Sequence, residues 1–211
     1  AVHDDLVGSI QKNMSEFFSG GIDAASKDYC SIANEHHFNR LRGALKQAVS
    51  SGAEVVSGGE ISQSGLYLSP AILTGVSYEN PIMKEEIFGP ILPIIKTKNL
   101  GEAIEYINNN EKPLALYLFS NKGSEQNKVL KNTSSGGMVI NDCVLHHMNP
   151  NLPFGGINNS GVGSYHGKFG FDAFSHHKAV LKSSSFSPFK IMLPPYTKTK
   201  ENLANLIKKY F

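Results

Sequence analysis

Apolar residues recur at helical spacing over residues 4–18. Leu6, Val7, Ile10, Met14, Phe17 and Phe18 fall on one stripe, which predicts an amphipathic helix that Gly20-Gly21 ends. A second stripe, Phe38, Leu41, Leu45 and Val49, predicts a helix over residues 34–50. Asn34 is its expected N-cap, because a short side-chain oxygen there accepts an orphan backbone N–H. Glu54-Val55-Val56-Ser57 reads as a short strand running into a Gly58-Gly59 turn. Residues 67–76 read as extended and interrupted by Pro70, and residues 91–97 as a β-rich run in which Pro93 marks an edge or bulge. A helix over 100–108 faces inward with Leu100, Ala103, Ile104 and Ile107. A buried strand over 114–119, a helix over 124–132 and a strand over 137–141 follow. Strands alternating with helices in this way predict a layered α/β domain with a largely parallel sheet.

Beyond Asn141 the texture changes. Residues 149–163 are rich in Gly, Asn and Pro and read as loop, residues 164–174 as a helix, and residues 183–188 as loop again. Residues 177–183 read as an exposed strand outside the α/β alternation, and a lone strand needs a sheet edge to satisfy its backbone groups. The expected division is therefore 1–163 for the layered body and 164–211 for helix, strand and tail. The Lys-rich tail also carries Glu201, Leu203 and Ile207, which suits a solvated helix face better than membrane attachment.

With 211 residues, 40% hydrophobic and 18% charged, the chain can bury an ordinary core in one or two domains. Its 20 basic and 18 acidic residues give a net charge of +2 with no basic stripe, so a nucleic-acid partner is not expected. No apolar run approaches the ~18 residues of a transmembrane anchor. Ala1-Val2-His3-Asp4-Asp5 lacks the features of a signal peptide and an initiator Met, so the sequence is expected to begin mid-chain. Two cysteines, Cys30 and Cys143, are too few for a disulfide framework, and a reducing compartment, the cytosol, is expected.

The most informative stretch is Lys84-Glu85-Glu86-Ile87-Phe88-Gly89-Pro90. A carboxylate there can accept hydrogen bonds from the hydroxyls of a ribose, and an aromatic two residues on can lie against a flat heterocycle. The residues alone fit better a solvated acidic pair at a helix end with Phe88 in the core. In Leu152-Pro153-Phe154-Gly155-Gly156-Ile157-Asn158-Asn159-Ser160-Gly161-Val162-Gly163 the close glycines let backbone approach backbone or ligand. Either the loop cradles a phosphate, which would need a strand directly before it, or it is a tight structural loop that places Phe154 at a pocket wall. His146-His147 and His176-His177 suggest metal, but adjacent side chains do not converge easily on one ion and no ligand spacing appears, so no metal is expected. Cys143 near His146 could be a nucleophile. Without a cationic or helix-terminal setting to activate it, a buried structural thiol is expected, as for Cys30.

Glu85-Glu86-Ile87-Phe88-Gly89-Pro90 resembles a signature of the aldehyde dehydrogenases, and Leu152-Pro153-Phe154-Gly155-Gly156 with Asn159-Ser160-Gly161 and Gly163 resembles their C-terminal loop. Tyr165-His166-Gly167-Lys168 and Phe174-Ser175-His176 are similar to the class 3 branch, which includes the fatty aldehyde dehydrogenases. So are Glu111-Lys112-Pro113-Leu114-Ala115-Leu116-Tyr117, Ser134-Ser135-Gly136-Gly137, Asn141-Asp142 and Pro194-Pro195-Tyr196-Thr197.

The resemblance implies a three-layer α/β catalytic domain with a C-terminal oligomerisation strand, hence a homodimer. It implies oxidation of a small-molecule aldehyde, medium- or long-chain or aromatic, to the acid with NAD or NADP through a cysteine thioester. Glu86 matches the residue that binds the nicotinamide ribose, Phe88 the one near the nicotinamide, and Phe154 one lining the aldehyde tunnel. His37 matches a position near the adenosine side, close to Asp28-Tyr29-Cys30-Ser31, which departs from the commoner Asp-Tyr-Gly-Arg. The nucleophilic cysteine, the general-base glutamate and the oxyanion asparagine match nothing in these residues, so no catalytic residue is assigned and the chain alone is expected to be inactive. The competing readings are a semialdehyde dehydrogenase, disfavoured because residues 142–151 contain no Arg, and a catalytically dead assembly module.

Overall fold

The computed structural model describes residues 2–18, 28–183 and 193–210. By compactness the chain divides into Ala1–Ile107 and Asn108–Phe211. The Gly20-Gly21 stop and residues 184–188 of the expected loop lie outside the described residues.

In the first unit, α1 spans His3–Phe17. Its Val7, Ile10 and Met14 are half-buried, whereas Leu6 and Phe17 stay exposed. The Gln11 amide donates to the Val56 carbonyl at 2.9 Å and ties the helix to the sheet. The second helix, α2, spans Glu35–Ser50, and the Asn34 side chain caps it by accepting the His37 N–H at 2.9 Å. It buries Phe38, Leu41, Leu45 and Ala48. Val49, expected inside, is 45% exposed. The 3.6-residue period carries the stripe from Leu45 to Ala48, and the small side chain lets the helix end approach its neighbours.

The strands of this unit are β1 (Glu54–Ser57), β2 (Ile61–Ser62), β3 (Tyr67–Leu68), β4 (Ala71–Thr74) and β5 (Ile91–Pro93). The main sheet has the order β1-β4-β5, antiparallel on the first side and parallel on the second. β4 is central and buried at all four residues, which explains the apolar run Ala71-Ile72-Leu73. β5 lies at the edge, where a proline can sit without breaking a ladder. β2 and β3 form a separate antiparallel pair. Leu41, Leu45, Leu68, Leu73, Ile82 and Ile91 anchor the core between α2 and this sheet. The unit runs into α3, Leu100–Asn109, whose Ile104 is buried.

In the second unit β6 (Ala115–Leu118) pairs with β7 (Gly137–Ile140) in parallel, and α4 (Gly123–Asn132) makes the crossover that a parallel pair requires. The strand expected to be buried is only half so: Tyr117 is 38% exposed and Phe119 65%. A two-stranded sheet leaves part of its faces open. Short helices α5 (Leu145–Met148) and α6 (Gly167–Ala173) flank the 149–163 loop, and α7 spans Lys198–Tyr210. Leu206 and Ile207 of α7 are half exposed or more, as on a solvated helix.

Two expectations are corrected here. Residues 177–183 form no strand among the described residues. Cys30 and Cys143 are exposed rather than buried. Cys30 stands in the extended stretch before α2, and Cys143 in the bend between β7 and α5, where Asn141 (φ 60°) and Val144 (φ 64°) turn the chain outward. The α/β class itself holds, and no described helix is long and apolar enough to cross a membrane.

Asn80 joins α2 to the segment between β4 and β5. It is 2% exposed, donates to the Ala48 carbonyl at 3.1 Å and accepts the Ile82 N–H at 3.1 Å. Replacement Asn80→Ala leaves the Ile82 N–H buried without its acceptor, a loss of about 1–3 kcal/mol. Asn80→Asp, which keeps the acceptor, is expected to lose less than Asn80→Ala. Urea unfolding of this chain followed by circular dichroism checks the order, and equal midpoints for wild type and Asn80→Ala would contradict it.

Candidate functional site

The loop that carries Glu85, Glu86 and Phe88 starts from a 3-10 turn, Pro81–Met83, which packs against α2. Its backbone is held by one side chain. The Arg40 guanidinium of α2 donates to the carbonyls of Glu86 at 3.3 Å, Ile87 at 2.7 Å and Phe88 at 3.5 Å. A planar fork with several N–H donors suits neighbouring acceptors, and its charge strengthens each bond. Phe88 takes a positive φ of 41°, unusual for an aromatic residue, and its side chain is 80% exposed. The core alternative for Phe88 therefore fails. A Cβ on Gly89 would lie 2.4 Å from a Leu41 methyl, so the loop rests directly on the helix.

Glu85 and Glu86 are exposed and free to accept hydrogen bonds from outside the loop. A cavity of about 490 Å³ opens between α2 and this loop, lined by Arg40, Gly43, Gln47, Lys84, Glu85 and Glu86 among others. His37 is exposed at the start of α2, one helical turn before Arg40. The structure thus places His37, Glu86 and Phe88 on one helix-and-loop assembly with Arg40 as the link. Nothing in the sequence singled out Arg40. Its only local signal is the three-residue spacing from His37, which puts the two on neighbouring positions of the helix surface.

Phe154 belongs to the second unit. It forms an isolated antiparallel bridge with Tyr165, with N–H to carbonyl distances of 3.1 and 2.9 Å. Its half-buried ring meets four others: His146 at 5.3 Å, His147 at 4.8 Å, Tyr165 at 5.6 Å and His166 at 5.9 Å between centroids. A Cβ on Gly155 would lie 2.1 Å from the Gly163 carbonyl, so the loop's backbone folds onto itself. The tight-loop alternative describes this geometry, since Gly155 faces backbone rather than open space. Asn159 donates to the Glu111 carboxylate and pins the far side of the loop. Of the histidines considered earlier as metal ligands, His146 and His147 are ring neighbours of Phe154, whereas His177 lies 3.5 Å from the Asp172 carboxylate. No group of three or more His, Cys, Asp or Glu among the described residues is placed to hold a metal ion.

Comparison with known proteins gives concordant results. The sequence profile described as the Aldehyde dehydrogenase family matches residues 1–180. The chain is 43% identical over 185 residues to "Aldehyde dehydrogenase, dimeric NADP-preferring" of Rattus norvegicus, covering 87% of this chain and 39% of the rat protein. It is 42% identical to aldehyde dehydrogenase family 3 member A2 of Mus musculus, covering 100% of this chain and 43% of the mouse protein. Among solved structures, the substrate-bound state of AldH from Staphylococcus aureus superposes with a TM-score of 0.88 at 40% identity, over 98% of this chain and 44% of that one. The chain therefore spans about two fifths of the length of the relatives it matches.

If Arg40 holds the loop, Arg40→Met should release it. The variant is expected to lose about 1–2 kcal/mol, the worth of hydrogen bonds from a partly exposed charged donor. Hydrogen exchange across residues 81–91 is expected to quicken, with Arg40→Lys in between. Exchange unchanged in Arg40→Met would show that the loop holds its shape without the guanidinium.

Proposed function

The chain belongs to the aldehyde dehydrogenase family, and from that premise we propose that it is part of an NAD(P)-dependent enzyme oxidising medium- or long-chain aliphatic or aromatic aldehydes to carboxylic acids. The observation that carries this reading is the fixed loop at 86–88. There a backbone gripped by Arg40 leaves an exposed carboxylate and an exposed aromatic ring two residues apart. That pairing fits a ribose diol and the flat ring attached to it.

When bound, the dinucleotide supplies a hydride acceptor. Glu86 accepts hydrogen bonds from the ribose hydroxyls and fixes the sugar, while the Phe88 ring limits the motion of the nicotinamide. Their value is geometric: reacting atoms must be held within a few tenths of an ångström, so restricting the ring raises the rate more than the affinity. His37 faces the adenosine side. Phe154, among its ring neighbours, walls the aldehyde path and keeps water from the reacting carbon. The absence of Arg from residues 142–151 favours an uncharged substrate over a semialdehyde bearing a carboxylate. A homodimer in the cytosol completes the reading. The two free, exposed thiols suit a reducing compartment.

The test uses the intact protein that carries these residues, supplied with a long-chain aldehyde and NAD or NADP. Reduced cofactor and carboxylic acid are expected in equal amounts, and their absence with aliphatic and aromatic aldehydes alike overturns the proposal. Residues 1–211 alone are expected to give neither product, because no side chain in them matches the family's nucleophile. In the intact protein Glu86→Gln should slow single-turnover hydride transfer about 10- to 100-fold, as for a misplaced reactant. Cofactor binding should weaken much less.

The dimer reading rests on residues 177–183, where Val180 is 78% and Leu181 94% exposed. A neighbouring subunit's sheet edge would complete this segment, and a symmetric pair is the simplest closed assembly. Truncation of the intact protein after Ser175 is expected to give monomers or aggregates by light scattering. A truncated protein that stays dimeric removes the segment from the interface.

A further inference from the structure

We propose that His146 is a positioning residue that sets the Phe154 ring through its own ring, without using its nitrogens. The proposal rests on the reading of Phe154 as a wall of the aldehyde path. His146 is 8% exposed, and neither Nδ1 nor Nε2 finds a hydrogen-bond partner among the described residues. A neutral imidazole always carries one N–H donor and one bare acceptor nitrogen, and burying both unsatisfied is costly. Among these residues the side chain makes its contacts through its flat faces and edges.

Its neighbours show what those faces hold. The ring lies 6.0 Å from Tyr117 of β6 and 5.3 Å from Phe154, between centroids. On β7 it presses onto Gly137, where an added Cβ would lie 2.5 Å from His146 Cδ2. The backbone is bent to deliver it. Val144, a β-branched residue, adopts φ 64° at the start of α5, a conformation disfavoured by its own side chain. Phe154's remaining ring neighbours, His147, Tyr165 and His166, are exposed or half-buried. His146 is therefore the buried link from the β6–β7 pair to the Phe154 ring. The sheet fixes Gly137 and Tyr117, these fix His146, and His146 fixes the angle at which Phe154 stands.

The test compares His146→Leu, His146→Phe and Gly137→Ala in the intact protein. Leu keeps apolar bulk but no flat ring, Phe keeps the ring without nitrogens, and Gly137→Ala displaces the native imidazole from outside. Variants are compared once far-UV circular dichroism shows the wild-type spectrum. The KM for a bulky aldehyde is expected to rise about three- to tenfold in His146→Leu and Gly137→Ala, the fold-change an aromatic pair is worth. The value of kcat should change far less, and His146→Phe should restore the wild-type KM. Independently of activity, 4-fluorophenylalanine at position 154 is expected to shift its ¹⁹F resonance in His146→Leu and Gly137→Ala but to stay near the wild-type position in His146→Phe.

An unshifted resonance in His146→Leu overturns the inference whatever the kinetics. So does a His146→Phe variant that behaves like His146→Leu, which would assign the effect to the nitrogens. If wild type oxidises aldehydes but neither ring-displacing variant alters KM, the inference fails and the proposed function stands. If wild type is inactive, the proposed function fails. The ¹⁹F shifts then decide alone whether His146 holds Phe154.

Discussion

Arg40 reaches from α2 to the carbonyl oxygens of Glu86, Ile87 and Phe88, and this fork decides what residues 84–90 can present. Turning three consecutive carbonyls toward one cation forces the backbone into a curve that includes the positive φ of Phe88. On its own that conformation costs about 1–2 kcal/mol for a residue with a Cβ. In this partly exposed setting the three bonds together are worth about 1–2 kcal/mol, enough to offset that strain. The fork is only as firm as its base. Arg40 is fixed because α2 is fixed, with Phe38, Leu41, Leu45 and Ala48 buried along one side. Asn34 caps one end of the helix, and Asn80 bonds to the carbonyl of Ala48 near the other. Apolar burial thus reaches the exposed Glu86 carboxylate through a helix, a guanidinium and a loop.

What the sequence made legible was whatever is decided locally. The α2 stripe and its Asn34 cap, the β4 run, the α4 crossover and the loop character of residues 149–163 all follow from short-range periodicity or turn chemistry. The failures have a common cause. Val49 against Ala48, the half-open β6 strand and the exposed cysteines depend on what packs opposite, which one segment cannot reveal. Residues 177–183 have strand composition, but a strand exists only with a ladder partner. Within the candidate site, Glu86, Phe88 and Phe154 stood out because their motifs are contiguous. Arg40 did not, because it lies 46 residues from Glu86 in the chain and 47 from Ile87. His37 was reached by resemblance, and the structure adds only that it shares a helix surface with Arg40.

The histidines show how neighbouring residues are parted by local geometry. His146 and His147 are adjacent in the four-residue α5, yet the first is buried and the second exposed. Successive positions on a helix point about 100° apart, so one ring enters the space above Gly137 while the next meets Phe154 from the open side. The difficulty of bringing both nitrogens to one metal ion therefore holds on a helix as it does on a strand.

The residues proposed for the cofactor, in the first unit, and Phe154, in the second, are held by different forces, and the difference bears on how each tolerates change. Residues 86–88 depend on directional bonds from one charged fork, whose strength falls steeply when the donor is misaligned. Loss of Arg40 removes all three bonds together, and no other described side chain is seen to donate to these carbonyls. Phe154 depends on ring contacts with four neighbours and a two-bond backbone bridge to Tyr165. Ring contacts are individually weak and broad in angle, each worth about 0.5–1.5 kcal/mol. Changing one neighbour tilts or shifts the wall by degrees and leaves the rest in place. The end assigned to the cofactor, whose chemistry is the same for every aldehyde, is built on the brittle interaction. The wall assigned to the substrate, whose shape must match one class of aldehyde, is built on the graded one.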